Sequence, residues 1–164
     1  MRVGTECALP RLLPTGAGPA GLAGHLARYG PPPTGLGRRH RESLIAEVAR
    51  AGLTGRGGAA YPTARKLAAV AAGHAPVVLA NGTEGEPASA KDKVLMTRSP
   101  QLVLDGAVLA AEMVGARQTV IVVHAAARRA IDDAVAERAR AGQDRVRIRA
   151  VSYTHLTLPT TPYV

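Results

Sequence analysis

The sequence holds no tryptophan, no phenylalanine and 1 cysteine, and of its 21 basic residues only Lys66, Lys91 and Lys93 are lysines. Its 4 tyrosines are the whole aromatic supply, too few for the stacking platforms on which single-stranded nucleic acid is read. The formal net charge of +9 is therefore not taken as a nucleic-acid footprint. Arg38, Arg39 and Arg41, and the arginines from Arg128 to Arg140, are expected on solvated helix faces. An Ala-, Gly- and Arg-rich composition is that of a high-GC coding sequence, which discounts the charge further. A basic nucleic-acid-binding module is thus the least favoured reading.

Cys7 alone cannot form a disulfide within the chain, in keeping with a cytoplasmic setting, nor can it supply the four thiolates of an iron–sulfur cluster. It reads as an incidental thiol near the terminus. No signal-peptide core is found at the N-terminus, and no apolar run approaches the ~18 residues of a membrane span. A chain of 164 residues, 46% hydrophobic, is expected to form one domain with a sizeable core.

Against these absences stand two dense stretches. Gly55-Arg56-Gly57-Gly58-Ala59-Ala60-Tyr61-Pro62-Thr63-Ala64-Arg65-Lys66 sets three glycines ahead of a helix expected over Ala64–Ala72, with Pro62 pre-setting φ for its first turn. Glycines allow backbone N–H groups to approach a ligand closely, and the helix N-terminus adds its own free donors and positive dipole end. Lys66, one turn inside, can reach back over the loop. The spacing fits neither the Walker pattern nor G-x-G-x-x-G. Alone, the stretch is read as a phosphate cradle or as a plain glycine turn.

The second stretch follows a short apolar run, Ala75–Ala80, expected as a buried strand. Asn81-Gly82-Thr83-Glu84-Gly85-Glu86-Pro87 and Lys91-Asp92-Lys93 come next, polar groups just past a strand's C-terminal end, where open α/β sheets bind ligands. All three lysines of a chain that otherwise uses arginine fall in these two stretches.

Together, G-R-G-G-x-x-[aromatic]-P-T-x-x-K and N-G-T-E-x-E-P-x-x-x-K-D-K resemble the flavin-bearing, NADH-oxidising 51 kDa (F-type) subunit of respiratory complex I. Related diaphorase subunits of hydrogenases and formate dehydrogenases, and the Rnf-type electron-transport subunit, carry the same pattern. The similarity spans roughly residues 41–149. It implies FMN as cofactor, held by Gly55, Arg56, Gly57, Gly58 and Lys66 at the phosphate and ribityl chain, with Asn81 and Thr83 along the flavin. It further implies Glu84 beside the nicotinamide nucleotide, NADH as substrate, and electron-transfer partners that are iron–sulfur or ferredoxin-like proteins. The family's 4Fe-4S cluster lies downstream of this sequence. Such a subunit is cytoplasmic, without a membrane span, at the periphery of a membrane complex.

Departures from the family pattern are Thr83 for the usual Asp, Tyr61 for Phe and Leu67 for Trp. The segment His124-Ala125-Ala126-Ala127 also stands where complex I has a Gly-Glu stretch that seats NADH. His124 is read as a capping or surface residue. An Rnf-like flavin electron-transfer subunit that does not oxidise NADH is accordingly the alternative.

The expected fold class is α/β, a mostly parallel Rossmann-like sheet preceded by an extended Gly/Pro-rich N-terminal arm. Three segments are assigned: an arm over 1–40, an FMN-binding domain over 41–150, and a non-native tail over 151–164. Within the arm one helical turn is expected near Leu22–Arg28, then a helix over Glu42–Ala51. Ser99-Pro100 should open a helix to Met113 whose buried side is Leu102, Val103, Gly106, Leu109, Ala110 and Met113. A strand over Thr119–Val123, a helix over Ala126–Ala141 and a strand over Arg145–Val151 complete a strand–helix alternation with right-handed crossovers. Val151 to Thr160 resembles a translated transposase sequencing adaptor, the natural alternative being a strand-and-loop end. The tail is expected to add no element to the sheet.

Overall fold

Three short runs that end at glycine, valine or serine build the sheet: β1 (Val78–Gly82), β2 (Gln118–Val123) and β3 (Arg147–Ser152), all parallel, in the order β1-β2-β3. The computed structural model describes residues 12–14, 18–55, 59–84 and 88–152. Val151 and Ser152, assigned to the tail that was expected to add no element, instead end a strand and pair with Val122 and Val123; the rest of the tail, from 153 on, and Cys7 lie outside the described residues. Around the sheet stand α1 (Leu22–Tyr29), α2 (Arg38–Arg50), α3 (Thr63–Ala71), α4 (Lys91–Arg98), α5 (Pro100–Val114) and α6 (Ala125–Arg140). Helix α4 was not anticipated, and β1 begins later and runs further than the apolar run Ala75–Ala80.

Register places Val78, Ala80 and Gly82 beside Thr119, Ile121 and Val123, which in turn lie beside Ile148, Ala150 and Ser152. This face is covered by α5 and α6. Leu104 and Ala107 of α5, Ile121 and Val123 of β2, and Ala127, Ile131 and Ala134 of α6 form one cluster, to which α4 adds Met96. Val108, Ala111 and Val114 form a second with Ala116 and Val146, joined by Leu67 of α3. On the opposite face Leu79 is 61% exposed. Among the described residues no helix is long and apolar enough to cross a membrane.

Helix α5 ends as expected at Gly115, whose φ of 74° is the left-handed cap conformation and whose N–H returns to the carbonyls of Ala111 and Glu112. Met113 is buried as expected, but the rest of the helix's buried side differs. The fully buried positions include Gln101, Leu104, Ala107, Val108, Ala111 and Glu112, whereas Gly106 is exposed and Leu102, Val103, Leu109 and Ala110 are half-buried. With apolar residues nearly all around, hydrophobic periodicity could not choose a face. Tertiary partners chose it, and two of the buried residues are polar because each has a specific acceptor or donor. Ser99, expected as a side-chain cap, instead donates its hydroxyl to the Leu12 carbonyl.

Those polar residues fasten the N-terminal arm. Glu112 accepts the N–H groups of Gly35 (2.9 Å) and Leu36 (3.2 Å). Glu137 accepts the first helical N–H of α1, from Leu22, at 2.9 Å and the Gln101 amide at 3.0 Å. His25, 2% exposed, stands 2.6 Å from Asp105. Asp105 also holds Arg138 at 2.7 Å, and Arg138 forks onto both oxygens of Asp144 at 2.7 and 2.8 Å. Arg138 is 1% exposed, so the expectation that every arginine of α6 is solvated is corrected. A buried guanidinium is stable only with its donors and charge satisfied, and Asp105 and Asp144 do both.

Candidate functional site

The glycine stretch is gripped at its base like a short hairpin. Gly55 N–H donates to the Tyr61 carbonyl and Thr63 N–H to the Leu53 carbonyl, each at 2.9 Å, with Thr54 bridged to Pro62 in antiparallel fashion. Arg56, Gly57 and Gly58 lie outside the described residues; their neighbours Gly55 and Ala59 fix where the loop leaves and returns. Pro62 is the residue before α3 and not its first, so the helix begins at Thr63. No side chain caps the first turn of α3 among the described residues. Lys66 turns back over the hairpin, its Nζ 5.5 Å from the centroid of the Tyr61 ring, as its place one turn inside the helix suggested. Tyr61 itself is exposed.

The turn after β1 is held by its own side chains. Asn81 Oδ1 accepts the Thr83 N–H at 3.2 Å, an Asx turn, and also the Thr83 hydroxyl at 2.9 Å, a second bond that an ionised Asp at this position could not donate. Gly82 is required by close approach: a Cβ there would meet Met96 of α4, 2.6 Å from Sδ, and the Val122 carbonyl oxygen at 3.0 Å. Glu84 follows with φ of 47°, a left-handed conformation uncommon for a side-chain-bearing residue.

That conformation returns the Glu84 carboxylate to the start of α4. Its Oε1 accepts the Ser89 hydroxyl (2.7 Å) and the Asp92 N–H (3.1 Å), and its Oε2 the Lys93 N–H (3.4 Å). Partial burial alone would raise its pKa. The bonds from Ser89, Asp92 and Lys93, with the Lys91 ammonium, outweigh this and hold it below the ordinary value. Lys91 pairs with Asp92 at 2.6 Å and Lys93 is exposed. Ser89 and α4 escaped the sequence reading, although Ser89-Ala90-Lys91-Asp92 has the capping-box spacing that marks a helix start.

His124 follows β2 directly and caps α6: its Nδ1 accepts the Ala126 N–H at 3.2 Å. Of α3, α4 and α6, then, α4 is filled by Glu84 and α6 by His124, and α3 alone begins without a described side chain on its first turn. A helix start of that kind, beside a clamped glycine loop and a lysine folded over it, suits a phosphate-bearing ligand. The donor set therefore fits FMN at this end of the site. Among the described residues no hydrogen bond or ion pair joins this hairpin to the Asn81–Glu84 turn. Ala68 and Ala71 of α3, and Ala72 just after it, line a groove with Met113 and Val114 at the far end of α5.

Comparison with known proteins gives the same picture. A 107-residue segment is 33% identical to an NADH-quinone oxidoreductase subunit of Rhizobium meliloti, covering 62% of this chain and 25% of that protein. The alpha subunit of the NAD-reducing hydrogenase HoxS of Cupriavidus necator is 39% identical over 82 residues, 49% of this chain and 14% of the relative. Among solved structures, an NAD+-reducing [NiFe]-hydrogenase in the air-oxidised state superposes with a TM-score of 0.60 at 32% identity, over 70% of this chain and 21% of that one. The chain thus spans about a quarter or less of the length of these relatives. Residues 48–156 match the family described as the Nuo51 FMN-binding domain, and the chain belongs to that family.

Proposed function

We propose that this chain is the FMN-holding module of a flavoprotein that oxidises NADH and passes electrons to iron–sulfur centres of partner subunits. Its FMN-binding domain is assigned to residues 41–150, after an arm over 1–40 and before a tail over 151–164. Lys66 carries the reading: its ammonium folds back over Tyr61 at the base of the glycine stretch, beside a helix start that no described side chain caps. Gly55, Arg56, Gly57, Gly58 and Lys66 would hold the FMN phosphate, Asn81 and Thr83 would stand along the ribityl chain and ring, and Glu84 beside the dinucleotide. Bound FMN would supply the chemistry that accepts a hydride and releases electrons one at a time. The chain's own residues bind and orient. Lys66 neutralises the phosphate, the glycine loop offers N–H donors, and the Asn81–Thr83 turn keeps the β1 end rigid.

The test is titration of FMN and riboflavin against Lys66→Ala and Lys66→Arg. Loss of a charge-assisted bond of about 1.5–3 kcal/mol weakens FMN roughly ten- to hundredfold and leaves riboflavin, which lacks the phosphate, nearly unchanged. Arginine restores only part, because its planar fork is longer than the ammonium. Unchanged FMN affinity in Lys66→Ala would remove this residue from the site.

A second reading, an Rnf-like flavin carrier that takes no hydride from NADH, is favoured by one observation. The end of β2 is closed by His124, whose ring nitrogen is committed to the first turn of α6. Bleaching of the flavin absorbance by NADH separates the two. A soluble, cytoplasmic subunit attached to a larger electron-transfer complex accords with both.

A further inference from the structure

Glu84 is held by more than the backbone. Its Oε1 carries two hydrogen bonds, from the Ser89 hydroxyl at 2.7 Å and the Asp92 N–H at 3.1 Å, while Oε2 carries a single long one of 3.4 Å from Lys93. The Ser89 bond is the shortest of the three and the one supplied by a side chain. Ser89 lies on the loop that enters α4, next to Ala90, which makes no side-chain cap of its own. Removing the hydroxyl would leave one amide bond on each oxygen, from Asp92 at 3.1 Å and from Lys93 at a long 3.4 Å, and so take away the strongest restraint on the carboxylate. A carboxylate has about four acceptor sites. With two taken on Oε1, Oε2 has the spare capacity for a ligand donor.

We propose that Ser89 is a positioning residue for the dinucleotide end of the site. Its hydroxyl locks the Glu84 carboxylate onto the start of α4 with Oε1 engaged, leaving Oε2 to accept an amide or hydroxyl of the substrate. The inference rests on the reading that Glu84 stands beside NADH. It has a consequence for protonation. A protonated Glu84 would lose acceptor strength toward three donors at once, so the lock and the ionised state support each other. Among the described residues the other charged groups beside it are Lys91, Asp92 and Lys93 on α4, with Lys91 favouring the anion.

The experiment uses the whole chain with 13C-labelled glutamate. The carboxyl resonance of Glu84, assigned by its loss in Glu84→Gln, is titrated by NMR without flavin in wild type, Ser89→Ala and Ser89→Thr, with circular dichroism as the fold control. Ser89→Ala shifts the midpoint to higher pH, while Ser89→Thr, which keeps the hydroxyl, follows wild type. Should Ser89→Ala fail to fold, Ser89→Cys, a weak donor, serves in its place with a shift in the same direction. A Ser89→Ala or Ser89→Cys midpoint that coincides with wild type overturns the proposal, as does a Ser89→Thr midpoint displaced as far as that of alanine. NADH binding to the FMN-loaded protein is then followed against pH. Binding whose acidic limb moves up in Ser89→Ala completes the case. A shifted NMR midpoint with no NADH binding in any variant refutes the NADH reading and this dinucleotide role together, while leaving the lock on Glu84. Normal NADH binding with an unshifted midpoint refutes the lock and leaves the NADH reading standing.

Discussion

Replacing Arg138 with methionine removes one cation, strands Asp144 and leaves Asp105 with His25 alone. The guanidinium gives Nε and Nη2 to the two oxygens of Asp144 and Nη1 to Asp105 and to the side-chain Oε1 of Gln101, at distances from 2.7 to 3.3 Å. Asp144 is nearly covered, with 7% of its side chain exposed, and Asp105 is partly so. Breaking a buried pair from one side costs about 3–5 kcal/mol, mostly the desolvation of the charge left behind. For a chain of this size each kcal/mol corresponds to about 2–4 °C, so Arg138→Met lowers Tm by roughly 6–20 °C. The check is urea denaturation followed by circular dichroism, with an unchanged slope showing that the same surface unfolds. Combining Arg138→Met with Asp105→Asn and Asp144→Asn removes the orphaned charges and recovers most of the loss. Arg138→Lys, lacking the fork, recovers little of it. A loss under about 1 kcal/mol in Arg138→Met, or no recovery in the triple variant, would refute the view that α5 and α6 are joined by a paired and buried charge.

Gly82→Ala places a Cβ against Met96 and 3.0 Å from the Val122 carbonyl oxygen. Because the end of Met96 can swing but the carbonyl cannot, the cost is about 1–3 kcal/mol in a urea melt, with weakened FMN binding from the displaced turn. His124→Ala removes the α6 cap and costs about 0.5–2 kcal/mol, whereas His124→Asp preserves the cap and suits the helix dipole; thermal denaturation orders the three proteins. The depressed pKa of Glu84 makes its ionised bonds a source of stability that is complete above the ordinary carboxylate range and lost as pH falls through the depressed value. In Glu84→Gln that acid-side loss is absent from the difference between melts at about pH 7 and about pH 3.

Elements bounded by strong punctuation were legible in the sequence. Gly115 and Gly142 end α5 and the turn after α6 with positive φ, and Pro100 opens α5, because these residues act through local backbone sterics alone. The β-branched run Thr119–Val123 lies within β2 for a similar reason. Arg138 was misjudged because charge pattern along a helix says nothing about an aspartate that folds beside it from another element. The buried face of α5 was misjudged because Leu102, Leu104 and Val108 are equally apolar and only packing ranks them. At the site, the return of Lys66 over Tyr61 was legible from its place one turn inside the helix. The grip of Glu84 on α4 was not, since it depends on a left-handed residue and a turn that bring Glu84 back to Lys93.

Because strand order in the sheet equals order along the chain, the molecule can be assembled from a ribosome as it emerges. β1 can pair with β2 while β3 is still being made, and α5 can settle on that pair before α6 exists. The arm joins in two stages. His25 must find Asp105 of α5, 80 residues on, and Leu22 must find Glu137 of α6, 115 residues on. Helix α1 can therefore settle against α5 first, and the bond from Leu22 closes only once α6 has taken its place.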